Sequence, residues 1–135
     1  MTTFRQAIDA RDLDAVDDML ANDVVFRSPV AFAPYQGKAI VSAILRTVLQ
    51  VFEGFHYTRE IHDAHGRDHA LVFEATVDGL SVTGCDFLRY DDEGRIVDFM
   101  VMVRPLRAAE ALAAAMGSRF EQIKADAVAQ RTVTS

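Results

Sequence analysis

The chain has 135 residues, with 20 acidic against 14 basic side chains, a formal net charge of -6, 50% hydrophobic residues and 25% charged ones. That length suits one hydrophobic core and leaves no room for a second domain, and the composition is that of a globular protein, neither disordered nor membrane-spanning. The acidic balance and the lack of any arginine cluster argue against a nucleic-acid partner, because a phosphate backbone demands a basic stripe.

The first residues contain no basic segment followed by an apolar stretch, and Cys85 is the one cysteine, without a disulfide partner in the chain. A cytoplasmic protein is therefore expected. From Thr3 to about Leu20, Phe4, Ala7, Ile8, Val16, Met19 and Leu20 recur at helical spacing, which predicts two helical pieces, the second capped by Asp12. Val24-Val25-Phe26 reads as a short strand that Pro29 and Pro34 interrupt. Between Ala39 and Phe52 apolar residues fall on nearly every side, as in a helix buried over most of its circumference inside a sheet's concavity.

The period then changes. Leu71, Phe73, Ala75 and Val77 alternate with polar neighbours up to a turn at Gly79, so the odd positions face inward. In the next strand the even set, Leu80, Val82, Gly84, Leu88 and Tyr90, faces inward instead. After the polar turn Asp91-Asp92-Glu93-Gly94, the stretch Ile96 to Val103 is apolar on both faces and predicts a central strand. Its far face should be covered by the C-terminal helix or by a second subunit. Pro105 suits the first turn of a final helix that carries Leu106, Leu112, Met116, Phe120 and Ile123 and that Gly117 bends or ends. The domain is expected over residues 1–130, with a frayed tail at 131–135.

Asp86 carries the most chemical information. It sits on the inward, apolar parity between Gly84 and Leu88, where a carboxylate must be paired, protonated or used; burial raises its pKa and makes it a neutral donor or general acid. Gly84 is expected to leave space for a ligand beside it. Phe4, Ser28, Tyr57, Leu71, Phe73, Val82, Leu88, Phe99, Val101 and Val103 are the candidate ligand-binding residues around it. Ser28 precedes a proline, which suits turn chemistry, and no Gly-x-Ser-x-Gly elbow surrounds it. The facing of residues 55–63 is ambiguous, because neither alternating set is clean.

Arg59 and Arg104 are candidate cationic neighbours of the buried acid. His56, His62, His65 and His69, with Asp63 and Asp68, surround a hairpin turn whose side chains should splay, so no metal site is expected. Cys85 lies on the face opposite Asp86, without a nearby base. Ile96, Met100 and Met102 form an outward stripe suited to a dimer interface.

Three stretches, Arg11-Asp12-Leu13-Asp14 before Asn22-Asp23-Val24-Val25-Phe26, then Gly37-Lys38-Ala39-Ile40, then Asp86 through Val97, resemble in order and spacing the nuclear transport factor 2-like superfamily, with its SnoaL-like cyclases and ketosteroid isomerases. The resemblance implies an α+β fold, a cone-shaped antiparallel sheet wrapped around helices, a homodimer through the outer sheet face and no obligatory cofactor. Asp86-Phe87-Leu88-Arg89-Tyr90 is similar to the stretch that holds the oxyanion-binding acid of ketosteroid isomerase. The resemblance places the general base of that enzyme at Ser28-Pro29-Val30 and its tyrosine at Phe4, so both groups are replaced. A SnoaL-like acid/base aspartate falls on Asp86 or, less naturally by parity, on Asp98. The expected function is a protein with a pocket for a small apolar or cyclic molecule, either a cofactor-free acid/base isomerase, cyclase or hydratase/dehydratase, or a non-catalytic binding or dimeric scaffold protein.

Overall fold

The computed structural model describes the backbone of residues 2–134 and the side chains of residues 2–130. The expected frayed tail falls where side chains, and at Ser135 the backbone too, lie outside the described residues. The elements run α1 (Phe4–Asp9), α2 (Leu13–Met19), β1 (Leu20–Arg27), β2 (Tyr35–Gln36), α3 (Lys38–Val51), β3 (Glu53–His62), β4 (Asp68–Val77), β5 (Leu80–Tyr90), β6 (Ile96–Arg104), α4 (Leu106–Gly117) and α5 (Phe120–Thr134).

Local chemistry explains the ends of these elements. Thr3 and Gln6 form a reciprocal capping box at the start of α1, and the Asp12 carboxylate accepts from the Ala15 amide to open α2, so two orphan helix termini are satisfied by side chains. Asp78 and Gly79 both have positive φ, 49° and 75°, the conformation that lets a two-residue turn match the twist of β4 and β5. The final helical stretch is two helices: α4 ends at Gly117 and α5 begins at Phe120. Pro105 stands one position earlier than expected, as the N-cap of α4.

The strands form one curved, unclosed sheet in the order β2-β1-β6-β5-β4-β3. Every pair is antiparallel except β1 with β6, which run parallel. No hairpin sets the direction of β1, because α3 and the whole β3–β5 meander separate it from β6, and a crossover that long permits parallel pairing.

The inward parities of β4 and β5 are as expected: Leu71, Phe73, Ala75 and Val77 are buried, as are Val82, Gly84, Asp86 and Leu88. β3 slips register between Glu53 and His56 and again between Tyr57 and Arg59, and each bulge flips the facing of the residues beyond it. That is why its alternation is unreadable. β6 has a similar irregularity, with Arg89 opposite Asp98 but Tyr90 opposite Ile96. The skipped Val97 turns Ile96 inward, where it is 0% exposed among the core residues. Ile96 therefore does not belong to the outward stripe.

The helices occupy one side of the sheet. α3 packs against β1 and α5, and α4 packs against β4, β5 and β6. The opposite sheet face is not covered by the C-terminal helices: Met102 is 53% exposed and Phe87 37%. No described helix is long and apolar enough to cross a membrane.

Candidate functional site

Between the helices and the sheet lies a cavity of about 480 Å³. Phe4 and Ile8 of α1, Ile44, Leu45, Val48 and Leu49 of α3, and Leu112, Met116, Phe120 and Ile123 of α4 and α5 line its helical side. The sheet contributes Phe26, Phe55, Tyr57, Phe73, Asp86, Phe99 and Val101. The described lining contains no lysine, arginine or histidine and one carboxylate, Asp86.

Asp86 comes from the middle of β5, where its even parity aims it inward, and Tyr57 comes from β3 across the intervening β4. The Tyr57 hydroxyl donates to Asp86 Oδ2 over 2.8 Å. Both residues are 6% exposed. Phe55 holds the Tyr57 ring edge-on at 5.1 Å. Burial pushes the Asp86 carboxyl up from 3.8 to about 7, and the hydrogen bond from Tyr57 partly opposes that rise by favouring the ionised form. Burial, reinforced by the neighbouring Asp86, also holds the Tyr57 phenol well above its ordinary value. Tyr57 is thus the donor at neutral pH, and Asp86 is poised between a neutral carboxyl and a carboxylate. Neither candidate cation reaches Asp86, for Arg59 and Arg104 are both exposed and no cation contributes to its shift.

Of the residues expected around the acid, Phe4, Ser28, Tyr57, Phe73, Phe99 and Val101 line the cavity with Asp86. Leu71, Val82 and Leu88 are closed into the core, and Val103 packs half-buried against it. Val82 and Val103 lie at the end of the sheet that α4 covers, since β5 pairs there with the residues just before Pro105. Gly84 does not leave space for a ligand. An ideal Cβ at that position would lie 2.2 Å from Phe73 Cζ and 2.9 Å from the Met102 carbonyl oxygen. The missing side chain is already replaced by the neighbouring ring.

Sequence reasoning missed the α3 wall, the α4–α5 wall and Phe55, although the all-round apolar pattern of residues 39–52 was a usable signal for the first. Ser28 plays the expected turn role, its Oγ accepting from the Val30 and Ala31 amides. Asp98 points to the outer surface and pairs with Arg27 at 3.3 Å. Cys85 is half-buried on the face opposite Asp86, and burial raises its thiol pKa. The histidines do not all splay: His62 and His69 are cross-strand partners and their rings stack at 3.9 Å. Among the described residues no three His, Cys, Asp or Glu side chains converge as a metal site.

The SnoaL-like domain model matches residues 1–99. The chain belongs to the SnoaL-like domain family. Its fold is the nuclear transport factor 2-like, or cystatin-like, α+β fold. The structure of a steroid delta-isomerase from Pseudomonas aeruginosa is 48% identical, with 88% of this chain and 87% of that one covered and a TM-score of 0.82. An uncharacterized protein with a cystatin-like fold from Silicibacter pomeroyi is 31% identical, with 90% and 89% covered and a TM-score of 0.79. A protein of unknown function from Burkholderia xenovorans, described as NTF-2 like, shares the fold at 19% identity, with 78% and 84% covered and a TM-score of 0.61. No curated protein matches the chain significantly.

Proposed function

We propose that this SnoaL-like chain binds a small, neutral, ring-bearing molecule and that Asp86 acts on it as a general acid, donating its proton to a carbonyl or similar oxygen. One observation carries the reading: a buried carboxyl with a pKa of about 7 borders a cavity lined mainly by apolar side chains and is hydrogen-bonded to Tyr57. A described lining without a cation disfavours anionic ligands, and a protonated Asp86 offers a hydrogen bond without the cost of burying a charge. When the proton leaves, the resulting carboxylate keeps the Tyr57 hydrogen bond. Such proton donation asks for no cofactor.

The 48% identity to a steroid delta-isomerase supports a cyclic ketone as the ligand class. The double-bond shift of ketosteroid isomerase is not proposed, because Ser28 and Phe4 occupy the positions that the resemblance gives to its base and tyrosine.

The test is hydrogen–deuterium exchange at the α-carbon of 2-decalone, a neutral bicyclic ketone, in deuterated water. Asp86 protonates the ketone oxygen while water removes the α-proton, and reversal places deuterium on carbon. The protein should accelerate exchange, and Asp86→Asn should abolish the acceleration while 2-decalone still binds. A second reading is a binding protein without turnover, which the lack of a second carboxylate, histidine or lysine in the described lining favours. Binding with no accelerated exchange would decide for it.

We also propose a homodimer through the outer sheet face, where Val72, Cys85 and Met102 form one cross-strand row and Ala70, Phe87 and Met100 the next. These rows replace the stripe that wrongly included Ile96.

A further inference from the structure

The exposed members of the cavity's described lining point to where it meets the surface. Of its lining residues, Val30 and Gly117 are exposed. Val30 belongs to the segment joining β1 to β2, and Gly117 to the joint between α4 and α5. The Tyr35 and Phe120 rings, 5.9 Å apart, bring these two rims together.

The β1–β2 segment is unusually apolar for a surface loop. No charged side chain occurs between Arg27 and Lys38, and the stretch Ser28-Pro29-Val30-Ala31-Phe32-Ala33-Pro34 is almost wholly apolar. Phe32 is 106% exposed, as open as in an extended peptide. Among the described residues, the hydrogen bonds made by residues 28–34 are the two that the Val30 and Ala31 amides donate to Ser28 Oγ, both within the segment. The ends are nevertheless anchored, since Phe26 pairs with Tyr35 and Val25 with Gln36. Such a strap can swing without breaking a hydrogen bond to the rest of the protein. Across the mouth, an added Cβ at Gly117 would meet nothing within 4 Å, so space is open there for an incoming ring.

We propose that residues 28–34 form a lid and that Phe32 is a ligand-retaining residue, folding over the mouth toward Gly117 when an apolar molecule fills the cavity. This rests on the reading of the cavity as a ligand site. With an apolar molecule in the cavity, a closed lid gives the Phe32 ring a contact surface and takes it out of water. The two apolar surfaces cover each other.

The chain contains no tryptophan, so Phe32→Trp supplies a unique fluorophore. On saturation with 2-decalone, its emission should move to shorter wavelength and its quenching by iodide should fall. Phe32→Ala should weaken 2-decalone binding about tenfold in calorimetry, mainly through faster dissociation, as expected for losing one buried aromatic contact. Its unfolding midpoint without ligand should stay that of the wild type, because the side chain is exposed. If 2-decalone binds and Val48→Phe weakens that binding by filling the cavity, but the Phe32→Trp emission does not move and Phe32→Ala binds with wild-type affinity, the lid is overturned and the cavity reading stands. If the wild-type protein does not bind 2-decalone, the cavity reading falls and takes the lid with it. An emission shift produced by phosphatidylcholine vesicles without 2-decalone would overturn the lid in favour of a lipid-docking loop.

Discussion

The Tyr57 hydroxyl reaches Asp86 Oδ2 at 2.8 Å from a strand that is not a neighbour of the one carrying Asp86. β4 lies between them, and its Phe73 ring leans over Gly84. The pair is therefore a product of three strands.

The raised pKa of Asp86 makes stability depend on pH. The folded state holds the proton up to about pH 7, whereas an unfolded chain releases it near the ordinary value of 3.8. Between those values the folded state binds more protons, so stability falls as pH rises and the full loss is reached above about pH 7. The loss is on the order of 4 kcal/mol for a shift of that size. Urea unfolding at about pH 5 and about pH 8 should show a decline in the wild type that Asp86→Asn lacks. Equal pH dependence in both proteins would contradict the assignment.

Tyr57→Phe removes the one hydrogen bond that favours the ionised form of Asp86. The Asp86 pKa should rise above about 7. Because a ketone oxygen needs the protonated acid, 2-decalone binding to the wild type should weaken as pH climbs through that value, and the variant should retain binding to higher pH. Calorimetric titration across the range reads the displacement directly.

Gly84→Ala forces a methyl group against Phe73 and the Met102 carbonyl. Phe73 is 0% exposed and has little room to withdraw. We expect a destabilisation of about 1–3 kcal/mol by chemical unfolding, the usual cost of overpacking. An unchanged midpoint would mean that the ring finds a second site.

Met102 stands 53% exposed in the cross-strand row with Cys85. Sedimentation velocity at micromolar concentration should find a dimer, and Met102→Glu should yield a folded monomer, since a carboxylate facing its symmetry mate cannot be desolvated cheaply. A monomeric wild type would remove the outer-face proposal.

The legibility of each strand in the sequence depends on how regular its pairing is. β4 and β5 pair residue for residue from Asp68–Arg89 to Val77–Leu80 without a bulge, so a period of two assigns every side chain correctly, Asp86 included. β3 and β6 carry register shifts, and a single inserted residue reverses the parity on which such reading depends. The sequence names Tyr57 as a candidate without choosing its facing, and unbroken parity puts Ile96 on the wrong face. Gly84 failed for another reason: a glycine reports that a side chain is absent, not what fills its place.

By itself, the sequence determined the container and its acid. The apolar period of residues 39–52 demands a buried helix, and the uninterrupted alternation of β4 and β5 turns Asp86 inward, because both signals arise within one element. Tertiary structure alone decided that Tyr57 is the partner of that acid, that Phe73 occupies the space at Gly84, and that Val30 and Gly117 are the exposed members of the cavity's described lining. Those relationships join residues through strand order, bulges and helix packing, whose registers no local pattern along the chain encodes.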